Sequence, residues 1–237
     1  MSALAAILAQ GGFVRDRGAG GGCVADDGFC PAWIADNLDR YVTPFVEHVY
    51  LTVVSVAIGF AVSFALALLA HRKRWLIGPL TWLTSALYTV PSIAMFLLLL
   101  PITGRGNATA IVALAIYTQV IIFRNVVDGL AGVPRDIVDA ADGMGMTPNQ
   151  RLLRVEVPLA LPVILAGLRI AAATTVGLAA LAYLAGAGGL GKQIAAQITF
   201  KSNVVVAGVL VTLLAAALDL AVLSVQRWMT PWRRAAA

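Results

Sequence analysis

The chain has 237 residues, of which 60% are hydrophobic and 12% charged. Soluble domains carry about 25% charged residues, so a water-soluble globular fold is excluded, and the useful unit is a membrane span of roughly 20 apolar residues. The formal charge of +5 comes from short basic clusters beside apolar runs. That is the pattern of membrane topology, and it argues against a nucleic-acid partner.

Residues 1–14 are apolar but lack a basic leading segment and are too short to cross a bilayer. An interfacial or disordered segment is expected there in place of a signal peptide or a transmembrane helix. Residues 11–44 form a polar, glycine-rich leader with Asp26, Asp27, Asp36, Asp39 and the only two cysteines, Cys23 and Cys30. These two could close a small loop in an oxidising compartment, and a lone pair lacks the paired spacing of a zinc site. A disulfide and two free thiols both stay open.

The first span is expected over 49–70, between Glu47 and His48 on one side and His71, Arg72, Lys73 and Arg74 on the other, a basic cluster that marks a cytoplasmic end. The second, 76–100, carries Pro79 and Pro91, with Trp75 and Trp82 near its start, where aromatic rings favour the membrane interface. Pro91 removes a backbone donor and clashes with the preceding turn, which predicts a kink. The kink serves either packing or a hinge beside a translocation path. After a polar break at 101–107 comes a short third span, 108–123, from whose end Arg124 is expected to snorkel to the inner surface. Spans at 159–184 and 204–225 follow, then a tail with Arg227, Arg233 and Arg234 and the interfacial rings Trp228 and Trp232.

Basic residues orient these spans. Arg72, Lys73, Arg74, Arg124, Arg135, Arg151, Arg154, Arg227, Arg233 and Arg234 fall inside, against Arg15, Arg17, Arg40, Arg105, Lys192 and Lys201 outside, with Arg169 within a span. The amino terminus is therefore placed outside and the carboxyl terminus inside, and the cysteines lie where a disulfide can form. The expected architecture is all-α and membrane-integral, with an extracytoplasmic leader, 1–44, and a transmembrane domain, 45–237.

One polar island, 134–158, interrupts the apolar second half. Pro134 suits a first helical turn, a helix can run to about Met144, and Gly145 tolerates the left-handed conformation common past a helix end. Thr147, Pro148 and Gln150 give a capping-box pattern, predicting a second helix over 148–156 that ends before Pro158. Within the island Asp139, Ala140 and Ala141 are followed after three residues by Gly145, and after nine more by Val155, Val157 and Pro158. This resembles the Glu-Ala-Ala signature loop of ABC importer permeases, which ends in Gly and then in Ile, any residue, Leu, Pro. Asp replaces Glu and valines replace Ile and Leu, with every spacing kept. The flanking stretches GMGMTPNQ, VPLALPVILAGLRIA and LAGAGGLGKQI resemble the permeases of osmoprotectant importers, which carry glycine betaine, carnitine, choline or proline betaine. The likeness runs from about Tyr50 to the tail, most strongly over 137–194, and leaves the leader outside.

The resemblance implies a type I ABC importer transmembrane domain in a bacterial plasma or inner membrane, working by alternating access. Asp139, Ala140, Ala141, Gly145 and Pro158 would belong to a coupling helix that docks on a cytoplasmic ATPase, and that partner would bind ATP and magnesium. It further implies a second permease, identical or homologous, because five spans cannot enclose a pathway, and an extracytoplasmic substrate-binding protein.

Gly186 to Lys192 imitates both a P-loop and a dinucleotide fingerprint. Neither fits: position 193 is Gln where a magnesium-binding hydroxyl is needed, and the stretch follows a membrane helix where a buried strand should stand. From the residues alone it is a glycine loop; the resemblance makes Gly186, Gly188, Gly189 and Gly191 a tight, flexible connection near the outer end of the translocation pathway, expected to be part of a gate. No His-Glu-x-x-His or Gly-x-Ser-x-Gly motif occurs, and the only histidines, His48 and His71, stand at opposite ends of one span. No catalytic, cofactor or metal site is expected. Arg169 and Asp219 sit at similar depths on the fourth and fifth spans, roughly 12 to 17 Å from the inner surface at 1.5 Å per residue. They are expected to approach one another or face the interior, as a structural pair or as part of the pathway. A channel or secondary transporter without an ATPase is the alternative class; it should carry more functional polar residues at depth or an inverted repeat. A purely structural subunit would not need the doubly capped loop.

Overall fold

The computed structural model describes residues 22–24 and 27–231. The expectations for residues 1–14 and for Arg15, Arg17, Asp26, Trp232, Arg233 and Arg234 lie outside these. Every regular element among the described residues is helical, as a bilayer interior demands, since it offers no water to satisfy backbone groups. A short α1, Pro31–Asp36, and a 3₁₀ turn, Leu38–Tyr41, lead into α2, Val42–Arg72. Then come α3, Ile77–Thr89; α4, Ser92–Thr103; α5, Asn107–Ala131; α6, Arg135–Gly143; and α7, Pro148–Arg151. The last three helices are α8, Val157–Ala179; α9, Leu190–Ala196; and α10, Lys201–Met229.

Four helical runs are long and apolar enough to cross a membrane, Leu38–Arg72, Asn107–Ala131, Pro148–Ala179 and Lys201–Met229, and the bent pair of α3 and α4 makes a fifth. That pair bends by 99°, so the second span is a broken crossing where a kink was expected. Pro91 drives Val90 into extended backbone (ψ 128°) and is itself extended (ψ 136°), because the proline ring disfavours helical geometry in the residue before it. The Tyr117 hydroxyl donates to the carbonyl of Val90, satisfying a group that the break releases. Beyond α4 the Gly106 N–H donates to Ala185 O at 2.8 Å, which sets this end of the chain beside the outer end of α8. The broken pair therefore does traverse the bundle.

Two helices outrun the apolar stretches that announce them. The third span runs on from 123 to Ala131, and the first begins at Val42. Hydropathy ends at a charge, whereas a helix continues wherever the charge finds a partner. Glu47 finds its partner in the loop after α8 and His48 in the last turn of α8 itself, at Val176 O, while Arg124 donates to Ser85 Oγ at 2.9 Å. Arg124 is thus held sideways against α3, a correction to the expected snorkelling.

The second helix of the polar island also departs from expectation, since it does not stop before Pro158. A π-helical turn, Leu152–Glu156, joins α7 to α8 without a break, and Pro158 lies in the first turn of α8. The widened turn accommodates both the missing proline N–H and the ring that would strike the carbonyl four residues back.

The core forms around α5. Leu114, Ile122, Phe123 and Val126 are fully buried, and α5 packs against α2 and α8. Small residues at these crossings, Ala67, Ala70, Ala110, Ala113, Ala171 and Ala179, are all fully buried; between membrane helices they let backbones approach closely, which is where association energy comes from. By contrast α10 is mostly exposed, with Leu213 and Leu220 open.

At the outer end, Cys23 and Cys30 are joined as a disulfide with Cα atoms 5.7 Å apart. The segment it closes docks on the start of α10: Cys30 N–H donates to Ser202 Oγ at 2.7 Å and the Tyr41 hydroxyl to Asn203 Oδ1 at 2.8 Å. The Trp33 ring meets Phe200 edge-on at 4.7 Å.

Candidate functional site

At the inner end, α6 closes with Gly145 at φ +76°, a left-handed cap that glycine adopts without a Cβ clash. The Met146 N–H then returns to Ala141 O at 3.2 Å. Thr147 and Gln150 form a reciprocal capping box: Gln150 N–H donates to Thr147 Oγ1 at 3.4 Å and Thr147 N–H to Gln150 Oε1 at 3.0 Å. These local bonds fix a tight corner between α6 and α7.

The signature residues divide between two faces of α6. Ala141 is 1% exposed and packs inward, while Asp139 and Ala140 face outward. Met144, just past the helix, is 70% exposed and adds an apolar knob to the outward face. Pro158 stands apart from that surface, in the first turn of α8.

A chain of charges that the sequence did not reveal fastens this corner to the rest of the molecule. Asp142 accepts from Arg151 Nη1 at 2.6 and 2.8 Å. Arg151 Nε donates to Glu156 Oε1 at 2.8 Å, and the other oxygen of Glu156 lies 2.6 Å from His71 Nε2 at the end of α2. The Glu156 side chain is only 4% exposed, so its two partners replace the water it has lost. Arg72 adds a second link, donating to Asn149 Oδ1 at 2.7 Å. His71, Arg151 and Glu156 border an inner-end cavity of 360 Å³, which Arg74 and Arg135 also line.

At the outer end, the glycine loop grips the start of α2. Gly189 N–H donates to Glu47 Oε2 at 2.8 Å, and His48, fully buried, is 3.0 Å from Val176 O through Nε2. Gly186 and Gly189 have positive φ, +82° and +96°. A Cβ on Gly188 would lie 1.9 Å from Glu47 Oε2, and one on Gly191 would lie 1.8 Å from Ala180 O. Gly188, Gly189 and Gly191 thus belong to one close-packed junction of α2, α8 and α9, while Gly186 faces Arg105 and Gly106 in the connection between α4 and α5.

Arg169 and Asp219 are brought together by α8 and α10 as a bidentate pair, with Nε–Oδ1 and Nη2–Oδ2 both 2.7 Å. Two parallel bonds make this the strong geometry for arginine and carboxylate. The side chains are 29% and 35% exposed and line an open groove of 420 Å³, so the pair faces out of this chain's own bundle. Among the described residues no group of three or more His, Cys, Asp or Glu is placed to hold a metal.

A capped cytoplasmic corner, a broken crossing and a packed outer loop on five membrane crossings make a transporter subunit, and comparison with known proteins agrees. The family model of the binding-protein-dependent transport system inner membrane component matches residues 56–235. The choline transport system permease protein OpuBB of Bacillus subtilis is 33% identical over 187 residues, which is 78% of this chain and 86% of that protein. The osmoprotectant import permease protein OsmW of Salmonella typhimurium is 34% identical over 206 residues, covering 84% of this chain and 96% of that protein. Among solved structures, the inward-facing MetNI methionine ABC transporter superposes with a TM-score of 0.68 at 26% identity, over 78% of this chain and 95% of that one. The chain belongs to the family of binding-protein-dependent transport system inner membrane components, the membrane-spanning permease subunits of ABC importers.

Proposed function

We propose that this chain takes up a quaternary-ammonium osmoprotectant by alternating access, driven by two cytoplasmic ATPase subunits that dock on the outward face of α6. The observation that carries the reading is the charge chain from Asp142 through Arg151 and Glu156 to His71. It ties the helix that presents Asp139 and Ala140 to the inner end of α2, so displacement of α6 moves a membrane helix with it. The exposed alanine permits close approach of a partner surface, and Asp139 offers it a negative charge. ATP binding would close the ATPase pair, carry α6 with it and rock the crossings until the cavity opens outward to a loaded binding protein; hydrolysis would reset it. Five crossings do not enclose a pathway, so a second permease completes it.

The substrate class rests on the relatives, whose names include choline and osmoprotectant transport. Selection would be shared with a binding protein, where aromatic rings can hold a quaternary ammonium. The test is uptake into proteoliposomes holding the permease, its ATPase and its binding protein. Saturable, ATP-dependent uptake of radiolabelled glycine betaine, carnitine or choline is expected. Uptake that is indifferent to ATP, or confined to compounds without a quaternary ammonium, would refute the reading.

A further inference from the structure

Two arginines lie well inside the membrane-crossing helices, and they are treated differently. Arg169 is neutralised by Asp219. Arg124, about two turns before the end of α5 and so about 10 Å from it at 1.5 Å per residue, has a single hydrogen bond among the described residues, to Ser85 Oγ. The Ser85 hydroxyl gives its own proton to Thr81 O at 2.6 Å, so towards Arg124 it offers only lone pairs. Asp128, one turn further along α5, forms no ion pair with Arg124. A guanidinium has five N–H donors. Arg124, at the edge of the apolar stretch of α5 and open to the space beside it, has no counter-charge of its own among the described residues, on a membrane-crossing helix, where ionisable residues are costly and usually paired.

The space in front of Arg124 is an open groove of 410 Å³ between α3 and α5, lined by Ser85, Tyr88, Thr89, Val120, Arg124 and Asn125. It reaches to within a residue of the Val90–Pro91 break, and membrane transporters commonly build their substrate sites at such discontinuous helices. Tyr88 is 44% exposed, and Tyr117 packs edge-on against it at 5.8 Å, which holds one aromatic ring at the groove. Unspent guanidinium donors and an aromatic surface on one wall suit a ligand with a carboxylate and a quaternary ammonium.

We propose that Arg124, with Ser85, Tyr88 and Thr89, forms a substrate subsite in the translocation path that receives the carboxylate of a zwitterionic osmolyte. This rests on the reading above, in which a second permease closes the pathway over this face. The permease would then discriminate among substrates itself, favouring carboxylate-bearing betaines over choline, which has none.

The test uses the reconstituted transporter with glycine betaine and choline as probes and with assembly followed by co-purification of the ATPase. Arg124→Gln is expected to lower the ratio of glycine betaine to choline uptake by about tenfold or more, the scale of a lost charge-assisted hydrogen bond, and Arg124→Lys to restore most of it. Separately, Thr89→Cys should react with a water-borne methanethiosulfonate reagent and be protected by glycine betaine; the native cysteines are bonded to each other. An unchanged ratio, an equal loss for both probes, or an unreactive Thr89→Cys overturns the subsite. A wild-type transporter that carries neither probe refutes the osmoprotectant reading, and the subsite with it, before any substitution is made.

Discussion

Glu156→Gln is expected to lower substrate uptake by about tenfold or more while the partner ATPase continues to hydrolyse ATP. The glutamate carries one charge between two partners from different parts of the chain, Arg151 at 2.8 Å and His71 at 2.6 Å. Removing one member of a buried ion pair costs about 3–5 kcal/mol. The lower end applies here, because the Arg151 side chain is 25% exposed and keeps Asp142. What is lost is the tie between α6 and α2 more than the fold, since the capping box and the hydrophobic core do not involve Glu156. The measurement is the number of ATP molecules hydrolysed per substrate carried, which should rise steeply. Glu156→Asp, shorter but charged, should fall between. If uptake and hydrolysis decline together in proportion, the charge chain supports stability and does not transmit motion.

Gly191→Ala is expected to be the most damaging single-methyl substitution in the outer loop. A Cβ there would stand 1.8 Å from the backbone oxygen of Ala180, and a backbone group cannot rotate away as a side chain can. Either α9 lifts off the end of α8 or the grip of the loop on Glu47 and His48 is lost. Overpacking of this kind costs about 1–3 kcal/mol, which for a chain of this length lowers Tm by roughly 3–10 °C. Gly208→Ala in α10 provides the contrast, because nothing lies within 4 Å of its added methyl and alanine is the better helix former. Thermal unfolding of the detergent-solubilised transporter separates the two. Equal Tm values would mean that the outer junction is looser than its geometry.

Local chemistry made parts of this molecule legible from sequence. Gly145, Thr147 and Gln150 act on neighbours within a few residues, so the corner between α6 and α7 could be read from their spacing. The crossings were legible as apolar runs for the same reason. Their ends were not, because whether a helix runs past Glu47 or Arg124 depends on Gly189 and Ser85, which are distant in sequence. Pro91 and Pro158 show how far one residue type can mislead. The first breaks its span outright, while the second is absorbed by a π turn that the residues themselves do not announce. The charge chain was hidden because His71 and Glu156 meet only once α2 and α8 have packed. Likewise, the motif residues Asp139, Ala140 and Ala141 are consecutive, yet helical rotation turns the last inward and leaves the first two for a partner.

That division of faces yields the most direct test of the central claim, that this permease is driven through α6. Ala140→Trp and Asp139→Lys alter only the exposed face, so Tm of the permease alone should be unchanged. Co-purification of the partner ATPase is the measurement. The coupling account predicts that both substitutions reduce the recovered ATPase by about tenfold or more, as expected where bulk or reversed charge is set into a docked surface. Full recovery of the ATPase with ATP-driven uptake intact in both variants would contradict it.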